Sequence, residues 1–233
     1  MFMKVFVTGS SGYLGKPLVE AIRNKYDLVE YDIVKGQDIL DYEQLKKSMK
    51  GCYVVVHLAA IPGPVEGRSF DDYFLINCIG THNVVKAAVE NKVKRLVYAS
   101  STTYYGVERG IPFKSPIKED QKIIPMYLKA DDLSCRDCDL AYSESKIIAE
   151  NILAFYGLTK KIEIIILRFS AIGKTFLETS VSLENAVQGI IKSVETKKVL
   201  WYEVFNVVDN IKKVDNSKAK RILGYKPKSA KYN

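Results

Sequence analysis

The sequence predicts an α/β fold in which a doubly wound parallel sheet is covered by helices on both faces. Along its 233 residues, short apolar runs of strand length alternate with stretches of helical periodicity. Runs such as Val54-Val55-Val56 are apolar without alternation, which is typical of strands buried on both faces. A glycine-rich turn links the first strand to the first helix. This order favours a parallel sheet, because helical crossovers connect parallel strands.

Each element follows from a local pattern. Leu14, Leu18 and Ile22 recur at helical spacing, and Asp41 is suited to cap a short helix. The strands are predicted at residues 5–7, 27–32, 53–58, 94–99, 163–168 and 204–208. The helices are predicted at residues 14–25, 41–50, 71–92, 140–155, 183–195 and 216–223. The polar, proline-containing stretch 106–139 has no clear periodicity and predicts a long loop.

The composition is that of an ordinary globular protein, with 47% hydrophobic and 27% charged residues. No apolar run is long enough to span a bilayer, and we expect no signal peptide, because the opening MFMKVFV leads directly into the first predicted strand. Four cysteines are too few for a disulfide scaffold, so we expect a cytoplasmic protein without a membrane partner.

The net charge of +8 is concentrated at the end of the chain. Residues 197–233 hold ten Lys or Arg and three Asp or Glu. These basic residues are spread along predicted helix and loop without interleaved stacking aromatics. The pattern therefore favours a solvated face over nucleic-acid binding.

The glycine-rich turn lies in residues 4–17, KVFVTGSSGYLGKP. Gly9 allows a sharp turn off the strand, Gly12 allows close approach of a ligand, and Gly15 allows the helix to pack near the strand. The helix N-terminus that follows suits a pyrophosphate. A glycine turn without a ligand is the alternative, but the position between strand and helix favours a dinucleotide site.

Asp32 ends the second predicted strand, where a carboxylate can accept hydrogen bonds from the adenosine ribose. It would repel a 2′-phosphate, so the sequence favours NAD and makes NADP the less favoured cofactor. Lys35 is close enough to weaken that preference, and an acid in an ordinary turn is the alternative. Asp38 and Ile39 could lie against the adenine.

Tyr142 and Lys146 are four residues apart and share one face of a predicted helix. A phenol has an ordinary pKa near 10, and a neighbouring ammonium would favour the phenolate and lower that pKa. An ordinary surface pair is the alternative. Ser101 follows the fourth strand, where its hydroxyl could hold a substrate oxygen against Tyr142. Ser100, Thr102 and Thr103 are competing donors.

These motifs occur in one order that resembles a known family. They are Thr8-Gly9-x-x-Gly12-x-x-Gly15, Asp32, His57-Leu58-Ala59-Ala60, Asn77, Ser100-Ser101 with Tyr105-Gly106, and Tyr142-x-x-x-Lys146. Together they resemble the extended short-chain dehydrogenase/reductases, the NAD-dependent epimerase/dehydratase group. The resemblance covers residues 3–172 and resumes at 215–227. It implies a Rossmann fold and a small carbohydrate substrate.

The resemblance also implies site residues. Tyr142 would be the general base, Lys146 would bind the nicotinamide ribose, and Ser101 would be the catalytic Ser/Thr. We expect no metal. The candidate cofactor-binding residues are Gly9, Ser11, Gly12, Tyr13, Leu14, Asp32, Asp38, Ile39, Leu58, Ala59, Ala60, Asn77, Tyr142 and Lys146.

The resemblance implies a division of the chain as well. Residues 1–172 would form the NAD(P)-binding Rossmann domain with the catalytic residues. Residues 173–233 would form a reduced substrate-binding region plus the last strand and helix. Helices 71–92 and 140–155 often pair across a dimer interface in this family, so we expect a homodimer.

The sequence departs from the family after the fifth strand. Residues 167–174, LRFSAIGK, lack the usual Asn, Tyr and Pro, and only a short connection leads to the next helix. This trimmed plan is similar to that of uronate and aldose dehydrogenases. A UDP-sugar 4-epimerase and a non-catalytic dinucleotide sensor remain as alternatives. Cys135 and Cys138 are interpreted as two loop thiols, because a zinc site needs about four ligands.

Overall fold

A computed structural model describes residues 2–106, 115–121, 136–173, 179–209 and 212–229. Six parallel strands form one sheet in the order β2-β1-β3-β4-β5-β6. The predicted doubly wound sheet is thereby confirmed. The strands are β1 Lys4–Thr8, β2 Asp27–Tyr31, β3 Val54–His57, β4 Arg95–Ser101, β5 Glu163–Phe169 and β6 Tyr202–Val207.

The helices follow the predicted pattern with two differences. They are α1 Gly15–Ile22, α2 Tyr42–Ser48, α3 Phe70–Tyr73, a π-helical segment Phe74–Ile79, α4 Gly80–Glu90, α5 Asp137–Leu158, α6 Leu183–Glu195 and α7 Ser217–Leu223. The predicted helix at 71–92 is thus a continuous run whose middle is a π-helix. Asp41 caps α2 as predicted, because its carboxylate accepts the N–H of Gln44.

Helix α5 begins earlier than the sequence indicated. The Asp139 carboxylate accepts the backbone N–H of Arg136 at 3.1 Å and the side-chain Nε–H of Arg136 at 2.9 Å, which fixes the start of the helix. The prediction that Cys138 lies in a loop is therefore wrong, since Cys138 is buried in the first turn of α5. Cys135 lies outside the described residues. Within those residues, Cys52, Cys78 and Cys138 form no disulfide.

Alternate residues of the strands feed two core clusters on the two faces of the sheet. Val5 and Val7 pack with α1, α6 and α7, whereas Phe6 packs with α2, α4 and α5. Both faces are apolar, which explains the unbroken apolar runs in the sequence. No helix in the described part of the chain is long and apolar enough to cross a membrane.

Candidate active site

The glycine turn is built by close backbone contacts at the carboxyl edge of β1. Gly9 has a left-handed φ of 66°, and a Cβ there would lie 2.7 Å from the Ala59 nitrogen. A Cβ on Gly15 would lie 2.0 Å from the Gly9 oxygen, so α1 packs directly on the turn. At Gly12 the same oxygen would be 3.3 Å away. Side chains at Gly9 and Gly15 would force the turn apart.

Helix α1 begins at this turn with its amide groups facing the edge of the sheet. Among the described residues, no side chain caps the N-terminus of α1, and its first turn contains no acid. The Lys16 N–H donates to the Gly12 carbonyl at 3.0 Å and Pro17 has no N–H, so the positive end of the helix dipole and the other amides of the turn are what suit an anion. The cradle therefore fits the pyrophosphate of a dinucleotide. Ser11, Tyr13 and Leu14 lie in the turn itself.

Asp32 lies next to the glycine turn, as its predicted role requires. Its carboxylate accepts the N–H of Ser11 at 2.7 Å and that of Val34 at 3.1 Å. A carboxylate has about four lone-pair sites, so acceptor capacity for a ribose hydroxyl remains. Lys35 Nζ lies 2.5 Å from the Glu30 carboxylate, which neutralises much of the charge that Lys35 would offer a 2′-phosphate.

Asp38 and Ile39 are placed differently from each other. The Asp38 carboxylate accepts the N–H of Leu40 at 2.9 Å, and Asp38 is half-buried. The Ile39 side chain lies in the core against Gly80, where a Cβ would approach Ile39 Cδ1 to 2.4 Å. The structure thus leaves the backbone of Ile39, and not its side chain, for contact with a ligand.

A buried hydrogen-bond chain supports the loop after β3, which contains Leu58, Ala59 and Ala60. Thr81 donates to the Asn77 carbonyl at 2.6 Å, so its oxygen accepts from His57 Nε2 at 3.0 Å. His57 Nδ1 then accepts from the Thr8 hydroxyl at 2.7 Å. The Thr8 oxygen accepts the N–H groups of Leu58 and Ala59. Complete burial lowers the pKa of His57 to about 3, so this imidazole is neutral.

Asn77 supports the site from the π-helical segment. Its side-chain oxygen accepts the Ile61 N–H at 2.8 Å, and its amide donates to the Ser145 hydroxyl at 2.9 Å. Ser145 in turn donates to the Tyr142 carbonyl at 2.7 Å. Asn77 therefore connects the loop after β3 to the turn of α5 that carries Tyr142 and Lys146.

Tyr142 and Lys146 share one face of α5, and Lys146 Nζ lies 5.9 Å from the centre of the Tyr142 ring. The ammonium donates to the Ala99 carbonyl at 2.9 Å and lies 3.4 Å from the Tyr98 hydroxyl. Burial lowers the pKa of Lys146 to about 8, and the negative charge of Glu150 opposes that shift. Lys146 is therefore mostly protonated at neutral pH.

Ser101 ends β4 and caps a single 3₁₀ turn, Thr102–Tyr105. Its oxygen accepts the Thr103 N–H at 3.2 Å, a bond that leaves its hydroxyl hydrogen available as a donor. Ser100 instead donates to the Glu150 carboxylate at 2.5 Å. The geometry therefore favours Ser101 over Ser100 as the hydroxyl presented at this edge.

The glycine turn, Asp32, the loop after β3, Ser101 and the Tyr142–Lys146 face thus lie at one end of a parallel sheet. The sequence model of the NAD dependent epimerase/dehydratase family matches residues 5–225 of this chain. The chain belongs to that family. The match confirms the resemblance found in the sequence, and NAD dependence is part of the family's description.

Curated relatives of this NAD-dependent epimerase/dehydratase chain include reductases and dehydrogenases. A 2-alkyl-3-oxoalkanoate reductase of Shewanella oneidensis is 30% identical over 64% of this chain and 38% of its own length. An L-arabinose 1-dehydrogenase (NAD(P)(+)) of Haloferax volcanii is 32% identical over 42% of this chain and 41% of its own length. The chain thus spans well under two thirds of these relatives.

Solved structures share the fold at low identity. A short-chain dehydrogenase/reductase superfamily protein from Agrobacterium tumefaciens, with bound NAD, has a TM-score of 0.81 at 18% identity, covering 97% of this chain and 93% of its own. A UDP-glucuronic acid 4-epimerase from Bacillus cereus, in complex with NAD, has a TM-score of 0.77 at 21% identity, covering 98% and 94%.

The sequence reasoning missed a group of polar residues buried beside the site in this family member. Glu150, one turn beyond Lys146, forms an ion pair with Arg168 of β5. Tyr104, Tyr105 and Asn206 adjoin that pair. The sequence did contain a signal for this pair, because Glu150 and Arg168 are charged residues within otherwise apolar helix and strand patterns. Within the described residues, no group of three or more His, Cys, Asp or Glu could hold a metal ion.

Proposed function

We propose that this protein is an NAD-dependent oxidoreductase or epimerase that acts on a carbohydrate hydroxyl. The substrate would be a sugar, a sugar acid or a nucleotide sugar. One observation carries the proposal: Tyr142 and Lys146 share a helix face near the ends of β3 and β4, and the anion cradle of α1 lies at the same edge. Ser101 stands at the end of β4, the strand whose Ala99 carbonyl binds Lys146.

In this proposal Tyr142 takes the proton of the substrate hydroxyl as general base. The buried ammonium of Lys146 favours the phenolate form of Tyr142 by charge attraction. Ser101 donates a hydrogen bond to the reacting oxygen and orients it. The hydride from the carbon that carries this hydroxyl would go to NAD, which would supply the acceptor when bound.

The residues that would hold the cofactor follow from the contacts above. The amide groups of the glycine turn and α1 would bind the pyrophosphate, and Asp32 would bind the adenosine ribose. Lys146 would contact the nicotinamide ribose. Asn77 and Thr8 would act indirectly, because their hydrogen bonds shape the neighbouring loop and helix.

A substrate screen tests this function. Purified protein with NAD and either D-glucuronate or L-arabinose should form NADH steadily, as measured by absorbance, if the enzyme is a dehydrogenase. UDP-glucuronic acid should isomerise without net NADH if it is a UDP-sugar 4-epimerase. The L-arabinose dehydrogenase among its relatives and the short connection after β5 favour a free sugar or sugar acid. Failure of every substrate would contradict the proposal.

The second candidate is a non-catalytic dinucleotide sensor, favoured by the same short connection between β5 and α6. Tyr142→Phe separates the two. An enzyme should lose turnover by at least about a hundredfold and still bind NADH, since the lost hydroxyl supplies the proton-transfer step. A variant that keeps the cellular role of the wild type would favour sensing.

We also propose a homodimer built on α3, the π-helical segment, α4 and α5. Leu75, Phe155 and Leu158 are 49%, 56% and 68% exposed on these helices. His82 Nε2 and the Tyr156 hydroxyl, 3.2 Å apart, place α4 beside α5. A second copy would cover this apolar face.

Light scattering after gel filtration tests the dimer. The double variant Leu75→Glu with Phe155→Glu should be monomeric, whereas Val199→Glu, at an exposed site outside these helices, should keep the wild-type mass. A wild-type monomer would contradict the proposal.

We further propose that residues 173–233 form a reduced substrate-binding region and that the protein is cytoplasmic.

A further inference from the structure

A buried ion pair lies beside the candidate catalytic residues and takes no part in the proposed chemistry. Glu150 and Arg168 side chains are 1% and 3% exposed. The guanidinium binds both carboxylate oxygens, with Arg168 Nη2 2.7 Å from Oε2 and Nε 3.0 Å from Oε1. Removing two charges from water costs so much free energy that such pairs contribute little net stability. The role of the pair is therefore to be sought in the elements that it connects, and not in its contribution to the free energy of folding.

On the helix side, the pair is attached to the face that carries the candidate base. Glu150 lies one turn beyond Lys146 on α5. Its carboxylate also accepts the hydroxyl of Ser100, the residue that precedes Ser101. Ser100 and Arg168 are directly opposite each other in the β4–β5 ladder. Glu150 thus connects α5 to the ends of both strands.

On the strand side, Arg168 holds the turn that Ser101 begins. Its guanidinium carbon lies 3.4 Å from the centre of the Tyr104 ring, and its Nη1 donates to the Tyr105 hydroxyl at 2.7 Å. Tyr104 and Tyr105 are the last two residues of that turn. The Tyr105 hydroxyl then donates to the Asn206 side chain at 2.8 Å, which extends the connection to β6.

We propose that Glu150 and Arg168 are positioning residues that hold the Ser101 turn against the helix face of Tyr142 and Lys146. This inference rests on the proposed function of those three residues. Glu150 also has an electrostatic role, because it faces Lys146 along α5. Loss of its charge should therefore change both the geometry and the pH dependence of the reaction.

The pH dependence follows from the groups around Lys146. Burial raises the pKa of Cys78 to about 11 and the pKa of Tyr98 well above its ordinary value, while the low pKa of His57 keeps that ring neutral. Glu150 is the carboxylate whose charge raises the pKa of Lys146. The groups that face Lys146 are Tyr142 and Glu150 of α5, Cys78 of the π-helical segment, Tyr98 of β4 and His57 of β3.

Glu150→Gln is the first test, since it keeps the shape and removes the charge. The pKa of Lys146 should fall, so the alkaline decline of kcat should begin at lower pH. We expect kcat to fall about tenfold or more, since a misplaced turn weakens alignment of the reacting groups. KM for NAD should change much less, because the glycine turn follows β1 and Asp32 follows β2. These strands are two and three positions away from β4 in the sheet.

Glu163→Gln is a matched control on the same two strands. Glu163 forms a buried ion pair with Arg95, its direct ladder partner, at the opposite end of β4 and β5. Both variants remove one carboxylate from a buried pair, and both should lower Tm. Glu163→Gln should keep the wild-type pH profile and kcat. Equal effects of the two variants on kcat and pH profile would overturn the proposal and leave a purely structural pair.

Amide hydrogen exchange provides a readout that needs no turnover. Tyr104→Leu removes the ring that Arg168 stacks on without leaving a buried charge alone. Glu150→Gln and Tyr104→Leu should both speed exchange in residues 101–106, whereas Glu163→Gln should not. Unchanged exchange in Tyr104→Leu would overturn the positioning role even if Glu150→Gln fails to fold. If the wild type turns over no sugar, the proposed function fails, but the exchange experiment still decides the positioning role.

Discussion

Replacing Gly15 by alanine tests whether α1 must pack directly on the glycine turn. The added Cβ would lie 2.0 Å from the Gly9 oxygen, 2.8 Å from the Ser10 carbonyl carbon and 2.9 Å from the Gly9 carbonyl carbon. All three neighbours are backbone atoms, so no side chain can rotate away. Carbon and oxygen need more than 3 Å, so helix and turn must separate by roughly 1 Å.

The expected cost follows from that displacement. Overpacking of this kind costs about 1–3 kcal/mol, and backbone neighbours place Gly15→Ala at about 3 kcal/mol. For a domain of this size, Tm should fall by about 6–12 °C. NADH affinity should fall at least about tenfold, because the amide groups of α1 would no longer line up with the pyrophosphate.

The assay is NADH fluorescence titration together with thermal unfolding, and the control is Gly63→Ala. A Cβ on Gly63 would meet nothing within 4 Å, and Gly63 does not have a left-handed φ. Its free energy of unfolding should stay within about 1 kcal/mol of the wild type, which corresponds to a Tm change of at most about 2–4 °C. Wild-type NADH affinity and Tm in Gly15→Ala would refute the contact between α1 and the turn.

Three further predictions concern residues around the cofactor cradle. Asp32→Ser should raise the ratio of NADPH to NADH affinity at least about tenfold, since it removes the charge that repels a 2′-phosphate; an unchanged ratio in paired titrations would count against Asp32. His57 has a pKa of about 3 in the folded protein, below its unfolded value near 6.5, so the unfolded state binds more protons below pH 6.5. The free energy of unfolding should therefore fall by about 1.4 kcal/mol per pH unit between about pH 6 and 4, and His57→Gln should remove that component in urea titrations. Asn77→Ala should cost about 1–3 kcal/mol and reduce kcat, because the Ile61 N–H loses its acceptor; equal urea midpoints for variant and wild type would contradict this.

Local patterns were enough for most of the fold. The strand that contains Val54-Val55-Val56 is buried on both faces, so its unbroken apolar run was enough to predict it. The glycine turn could be predicted because its residues are neighbours in the chain. The π-helical segment could not, since it coincides with Asn77, whose partners Ile61 and Ser145 lie far away in sequence.

In the candidate site, too, some features follow from local patterns and others depend on contacts between residues distant in the sequence. Tyr142 and Lys146 were found because four residues on a helix share a face. The preference for Ser101 over Ser100 needed the contact between Ser100 and Glu150, which joins a strand end to a helix. The sequence suggested that Asp38 and Ile39 could lie against the adenine, but it gave no sign that the Ile39 side chain packs in the core against Gly80.

The sequence by itself determined the order of strands and helices, the turn between β1 and α1, and the acid at the end of β2. These features depend on periodicity and on residues adjacent in the chain. Only the tertiary structure decided that Ser100 binds Glu150, that His57 is buried and neutral, and that Glu150 pairs with Arg168. Those outcomes depend on strand order and register, which bring together residues such as Ser100 and Arg168 that no local pattern relates.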